Sequence, residues 1–273
     1  MAPAEATPVE GGGRRRLRDL PNDSPTKILV VATLVCVICA VLVSSAAVLL
    51  RPIQQRNAQL QKQRDILTVA DLYDPDAELQ SQFDQVDAQL VDLDTGLFVE
   101  GAEALAFDIE SASRGADTSS PIPAGDDLAK IHRRAHQMPV FLIRDDDEIE
   151  TVVLPIYGYG LWSTMYGYVA LDGRGETVKG ITFYDHAETP GLGAEIENLR
   201  WQGKWAGKRV FDEAGTVALS VAKGRPAEGR DDYHVDAISG ATLTSVGVHN
   251  MIQYWLGEQG YGPFLRRLKN GGV

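Results

Sequence analysis

Cysteine is nearly absent from this 273-residue chain: Cys36 and Cys39 are the only two. Both fall inside an apolar run, which leaves the remainder without a disulfide or a thiolate metal site. Cys-x-x-Cys serves redox and metal chemistry elsewhere. In a membrane helix such small, weakly polar residues are ordinary packing groups, and packing is the expectation for this pair. Also missing are a Gly-x-Ser-x-Gly turn, a P-loop and a Gly-x-Gly-x-x-Gly turn. Hydrolase, NTPase and NAD-binding readings therefore have no motif to rest on. No internal repeat is present. Of five histidines, His132 and His136 stand at i, i+4 in a stretch flanked by Lys and Arg, read as the solvated face of a helix. Two histidines bind zinc only with further ligands, and no metal site is expected.

Basic charge is scarce beyond residue 64. Residues 1–64 hold nine Lys/Arg against four Asp/Glu, whereas residues 65–273 hold seventeen against thirty-four. An acidic domain of this size repels nucleic acid, so no such partner is expected. Charge is lacking altogether from Ile28 to Leu50, 23 residues. As a helix this run is about 34 Å long, enough to cross a bilayer. A signal peptide is the competing reading, but the run exceeds a usual h-region and continues past Ser44-Ser45-Ala46-Ala47. A retained single span is the expectation. Arg14, Arg15, Arg16, Arg18 and Lys27 precede it, while Arg51, Arg56, Lys62 and Arg64 follow. The positive-inside rule thus gives a small preference for an inside N-terminus.

Residues 1–26, rich in Pro, Gly, Ala and Arg, read as a disordered tail. Gln54 to Leu72 reads as a helical stalk. Asp71 to Asp94 carries Leu79, Phe83, Val86 and Leu90 at helical spacing and is expected to be an amphipathic helix. From Val140 the pattern changes to strands: 140–144, 151–154, 166–171 and 178–184, with a hairpin turn at Asp172-Gly-Arg-Gly175. A helix is expected over Ala194–Trp205, further strands over 208–211 and 216–221, and a last helix from near Thr244 to Leu256. The fold class that follows is α+β: one N-terminal transmembrane helix, then a largely antiparallel sheet with packed helices.

Three segments concentrate the candidate chemistry. In Asp236-Ala-Ile-Ser239-Gly240-Ala241-Thr242-Leu243-Thr244-Ser245, hydroxyls crowd a Gly-Ala pair just before an apolar helical run. By composition this is a helix cap and turn. The same place gathers free amides and the positive helix terminus, where a phosphate is held well. The second segment is His186-Ala-Glu188-Thr189-Pro190-Gly191-Leu192-Gly193. Read alone it is a connector; read as a site, its glycines admit a flat ring, Leu192 touches it, and Glu188 and His186 tune it. The third, Gly160-Leu161-Trp162-Ser163-Thr164-Met165-Tyr166-Gly167, interleaves glycine and aromatics. It fits core packing beside a bulge as well as stacking on a ring.

Taken in order after the N-terminal span, these segments resemble the FMN-binding domain of the C subunit of the sodium-translocating NADH:quinone oxidoreductase. Tyr254-Trp255-Leu256-Gly257 and Gly260-Tyr261-Gly262-Pro263-Phe264-Leu265 extend the likeness. The resemblance implies domains at 1–26 (cytoplasmic tail), 27–51 (transmembrane helix), 52–139 (stalk and helical region) and 140–273 (FMN-binding domain). It implies FMN joined by a phosphoester to Thr242, with Ser239, Gly240, Ala241, Leu243, Thr244, Glu188, Thr189, Gly191, Leu192, Gly193, Leu161 and Trp162 as cofactor-binding residues. Asp236 would serve recognition by a flavin transferase. The protein would be a one-electron relay between NADH and ubiquinone in a sodium pump, with other membrane subunits as partners. It would sit in the bacterial inner membrane with its C-terminal domain on the periplasmic side. The corresponding subunit of an Rnf-type electron transport complex shares the flavin motif and is the nearest alternative. A membrane-anchored binding module without cofactor is the alternative of another class.

Overall fold

The computed structural model describes residues 21, 23–101, 103–145 and 148–272. The expected disordered tail lies largely outside them, although its last two residues already belong to a helix. The chain divides into two compact units, Met1–Gln59 and Leu60–Val273.

The first helix, α1 (Pro25–Val69), runs 45 residues without interruption through Pro52. Its apolar part has a mean hydropathy of 2.9 and buries nothing within the protein, the pattern of a side-chain surface made for lipid. Among the described residues it is the one helix long and apolar enough to cross a membrane.

The second unit is built on a five-stranded antiparallel sheet. In chain order come α2 (Leu79–Phe83), β1 (Val86–Asp92), α3 (Ile109–Arg114), β2 (Ser119–Pro121), β3 (Arg133–Ala135), β4 (Gln137–Asp145), β5 (Glu148–Tyr159), β6 (Thr164–Asp172) and β7 (Val178–Asp185). The sheet order is β1-β4-β5-β6-β7. After it come α4 (Leu199–Gln202), β8 (Ser220–Ala222), β9 (His234–Asp236), α5 (Thr242–Leu256) and α6 (Gly262–Lys269), with β8 and β9 forming a small parallel pair.

Alternation sends neighbouring side chains to opposite faces, and here both faces are covered. Leu142, Val152 and Leu154 pack with Val248, Met251, Ile252 and Trp255 of α5 and with Phe264 of α6. Phe141, Ile143, Val153 and Tyr168 pack on the other face with Ile66, Leu67, Val69 and Phe83. The two-sided cover explains why the strands read as continuous apolar runs. Full burial of Ile66 and Leu67 stabilises the unit by about 1.5–3 kcal/mol each.

Several expectations are corrected. Only Leu79–Phe83 of the expected helix over Asp71–Asp94 is helical; Val86–Asp92 pairs antiparallel with β4. Its Val86, Ala88 and Leu90 also alternate with Asp87 and Gln89, and pairing with β4 decides between the two periods. The region 52–139 therefore contributes three strands and the start of a fourth. His132 and His136 do not share a helix. His132 has φ 63°, the residues after it form β3, and His136 Nε2 lies 2.8 Å from Ser120 Oγ. Ala194–Trp205 is broken into a 3-10 turn over Gly193–Glu197 and α4, because Asn198 interrupts it and accepts from the Arg200 amide. Of the strands expected at 208–211 and 216–221, only Ser220–Ala222 forms one; isolated bridges Thr177–Arg209 and Phe211–Val217 mark the rest. The last expected helix begins two residues earlier, at Thr242.

Candidate functional site

The three candidate segments meet at one buried carboxylate. Glu188, 4% exposed, lies in the connection after β7. Its Oε1 accepts from the amides of Leu161 and Trp162, each at 2.9 Å, in the β5–β6 loop. Its Oε2 accepts from the Thr244 hydroxyl in the first turn of α5. Secondary contacts tighten the meeting. Trp162 Nε1 donates to Thr189 Oγ1 at 3.1 Å, and the Ala187 amide donates to Ser163 Oγ at 2.8 Å. The Glu188 amide donates to His186 Nδ1 at 3.1 Å, which leaves the ring proton on Nε2. That Nε2 lies 2.9 Å from Glu197 Oε1, close enough to pair but not aligned as a hydrogen bond.

Around this junction the loops turn at glycines. Gly191 and Gly240 have φ of 75° and 79°, a region that side chains with a Cβ rarely occupy. At Gly240 a Cβ would also come within 3.1 Å of Leu192 Cδ2. Leu192 thus reaches the hydroxyl loop while remaining 45% exposed.

The four hydroxyls have separate fates. Ser245 is buried and its Oγ accepts from the Ile238 amide at 3.0 Å, closing the loop on itself. Thr244 is buried and committed to Glu188. Ser239 and Thr242 are exposed, and their hydroxyls make no hydrogen bond among the described residues. Thr242 opens α5. The amides of Gly240, Thr242, Leu243 and Thr244 have no acceptor among the described residues, whereas that of Ala241, expected at the phosphate, donates to Ile238 O. A helix terminus with open amides and an available hydroxyl is suited to a covalently attached phosphate.

Each segment also exposes apolar side chains. Trp162 is 63% exposed and Leu243 60%, and Leu161 and Val246 are exposed to a lesser degree. Contiguous apolar exposure of this kind, beside a turn suited to an anion, marks a surface fit for a ligand or partner. Together the two halves match a ligand with a flat apolar body and a phosphate tail.

Asp236 stands apart from the carboxylate junction. It is exposed, and its Oδ2 accepts from Lys204 Nζ at 2.9 Å. The hydrogen bond and charge of Lys204 hold its carboxyl below the usual range. Its main-chain carbonyl accepts from Trp201 Nε1 at 2.8 Å. Sequence reasoning did not reach Lys204 or Trp201, since nothing in a sequence ties them to a residue more than thirty positions away. No group of three or more His, Cys, Asp or Glu suited to a metal occurs among the described residues.

Comparison with known proteins bears on the same segments. Residues 160–257 match the FMN-binding domain family. Over 257 residues the chain is 47% identical to the C subunit of the Na(+)-translocating NADH-quinone reductase of Yersinia pestis, covering 92% of this chain and 96% of that protein. With the C subunit of the same reductase from Pseudomonas aeruginosa it shares 42% identity over 256 residues, covering 92% and 98%. Among solved structures, Shewanella oneidensis NqrC aligns with a TM-score of 0.72 at 39% identity, over 78% of this chain and 98% of that one. The C subunit from Parabacteroides distasonis aligns with a TM-score of 0.63 at 32% identity, over 79% and 96%.

Proposed function

The chain belongs to the family of C subunits of the Na(+)-translocating NADH-quinone reductases, and from that premise we propose that it carries FMN through a phosphoester on Thr242. It is a subunit of an oxidoreductase complex, and its role there is electron relay. Near full-length likeness to these C subunits favours this complex over the Rnf-type alternative.

One observation supports the site above all. Of the hydroxyls crowded around Gly240, only Thr242 is exposed, uncommitted and seated in the first turn of α5. The amides of Gly240, Thr242, Leu243 and Thr244 would hold the diester's charge, helped by the helix terminus. Leu161, Trp162, Leu192 and Leu243 would flank the ring, with Thr189, Gly191 and Gly193 shaping the loop beneath it. Ser239 is the second exposed hydroxyl, three residues before Thr242 and outside the helix. FMN bound there supplies reversible redox chemistry. The chain's own contribution is to orient it, shield one side of it and offset its phosphate charge.

The test is peptide mapping of the full-length protein from cells that make a flavin transferase. The peptide containing Thr242 should be heavier by FMN less one water, and an unmodified peptide from such cells would overturn the reading. Asp236 is assigned to recognition by that transferase. Asp236→Ala should fold with nearly unchanged thermal stability, since exposed ion pairs contribute about 0–1 kcal/mol. Its flavin content should nevertheless fall severalfold; full loading would remove the assignment.

The apolar stretch of α1 would anchor the protein as a single span in the bacterial inner membrane, with the C-terminal unit on the periplasmic side. Partners there would be the other subunits of the complex. A C-terminal alkaline phosphatase fusion should be active, as only periplasmic enzyme is; a silent fusion made in normal amounts would reverse the topology.

A further inference from the structure

Glu188 turns most of its acceptor capacity, about four lone-pair positions, to the protein. Three protein donors from two distant segments occupy its carboxylate: the Leu161 and Trp162 amides and the Thr244 hydroxyl. The space it fills is hollowed by glycines. A Cβ on Gly160 would fall 2.5 Å from Glu188 Oε1, and one on Gly193 2.6 Å from both Glu188 Oε2 and Thr244 Oγ1. Neither glycine has a positive φ, so the chain conformation alone does not demand them. What demands them is the carboxylate. A buried anion needs such donors around it, and the first turn of α5 adds its own positive terminus.

We propose that Glu188 is a positioning residue: it fastens the Leu161–Trp162 loop to the first turn of α5 and so holds the apolar shelf and the Thr242 hydroxyl in fixed register. The fastening is a property of the flavin-free chain; only its use, the seating of a ring between shelf and tether, rests on the flavin reading above. It also withdraws the Thr244 hydroxyl from modification, leaving Thr242 to the transferase.

The experiment is amide hydrogen exchange on the full-length, detergent-solubilised protein made without transferase, comparing Glu188→Ala and Glu188→Gln. Glutamine retains an oxygen for the two amides and an NH₂ facing Thr244, so it replaces every contact except the charge. In Glu188→Ala the Leu161 and Trp162 amides should exchange at least about tenfold faster, with central β5 and β6 amides unchanged as the internal reference. In Glu188→Gln they should stay within about threefold of the parent. Equal exchange in all three proteins, or equal loss in both variants, overturns the proposal. Should Glu188→Ala fail to fold, Thr244→Val removes one of the three donors and should accelerate the same two amides severalfold; no acceleration overturns it. Peptide mapping of the same variants made with transferase keeps the two readings separate. An unmodified parent defeats the flavin assignment and leaves the exchange result standing.

Discussion

Thr242→Val should strip the protein of covalent flavin completely while leaving its fold intact. Valine reproduces the branched shape of threonine without the hydroxyl, so no phosphoester can form. The residue is exposed and opens α5, where its side chain makes no hydrogen bond that the exchange would break. Helix preferences of Thr and Val are nearly equal, and a surface substitution of this kind changes stability by within about 0.5 kcal/mol. On a denaturing gel under ultraviolet light the parent should give a fluorescent band and the variant a dark one. Thr242→Ser keeps a hydroxyl at the same place and should keep part of the fluorescence. Because Thr244 and Ser245 are buried and engaged, Ser239 is the single exposed rival in the loop. Ser239→Ala should remain bright. Persistent fluorescence in Thr242→Val would move the tether to another hydroxyl, and the modified peptide would show which.

The second large effect falls on stability. Trp255 is completely buried beneath the sheet. Its ring lies 4.8 Å from that of Tyr157, 5.4 Å from Tyr254 and 5.6 Å from Tyr261, and its Nε1 donates to Tyr157 O at 2.6 Å. Trp255→Ala removes the centre of this cluster. The cavity alone costs about 3–5 kcal/mol, and the orphaned Tyr157 carbonyl adds about 1 kcal/mol or more. That is a large part of the roughly 5–15 kcal/mol that holds a domain folded. A fall in melting temperature of about 10 °C or more is expected by calorimetry. Trp255→Phe, which keeps most of the ring contact and loses the donor, should cost visibly less. A Trp255→Ala protein that melts with the parent would mean the helix is not held by this face.

The two predictions differ in how far the sequence alone foretells them. The strands from 140 to 185 were legible because apolar runs are punctuated by turn residues such as Asp172-Gly-Arg-Gly175, whose Gly175 amide closes on Asp172 O at 2.8 Å. The edge strand β1 was not, since Val86 and Leu90 fit a helical period as well as an alternating one and only pairing with β4 decides. The short helix α6 went unread beside the more prominent α5, although Pro263 in its first turn and buried Phe264, Leu265 and Leu268 mark it. At the site, the three motifs were visible as strings of residues. Their division of labour was not. Which hydroxyl is engaged depends on partners at sequence distances of 7 for Ser245 and 56 for Thr244. Local pattern carries no information about such contacts, and so the three protein donors gathered by Glu188 were not foreseen.

The cover that α1 gives the sheet has a practical meaning for anyone cutting the protein free of its membrane. Hydropathy ends near Leu50, yet Ile66, Leu67, Val69 and Ala70 belong to the interior of the second unit. A protease that nicks the chain before Leu60 releases a body with its underside sealed. One that nicks just after Ala70 releases the same sheet with Phe141, Ile143, Val153 and Tyr168 laid open to water, and such a surface drives self-association. The last turns of the helix are thus the point at which solubility is won or lost.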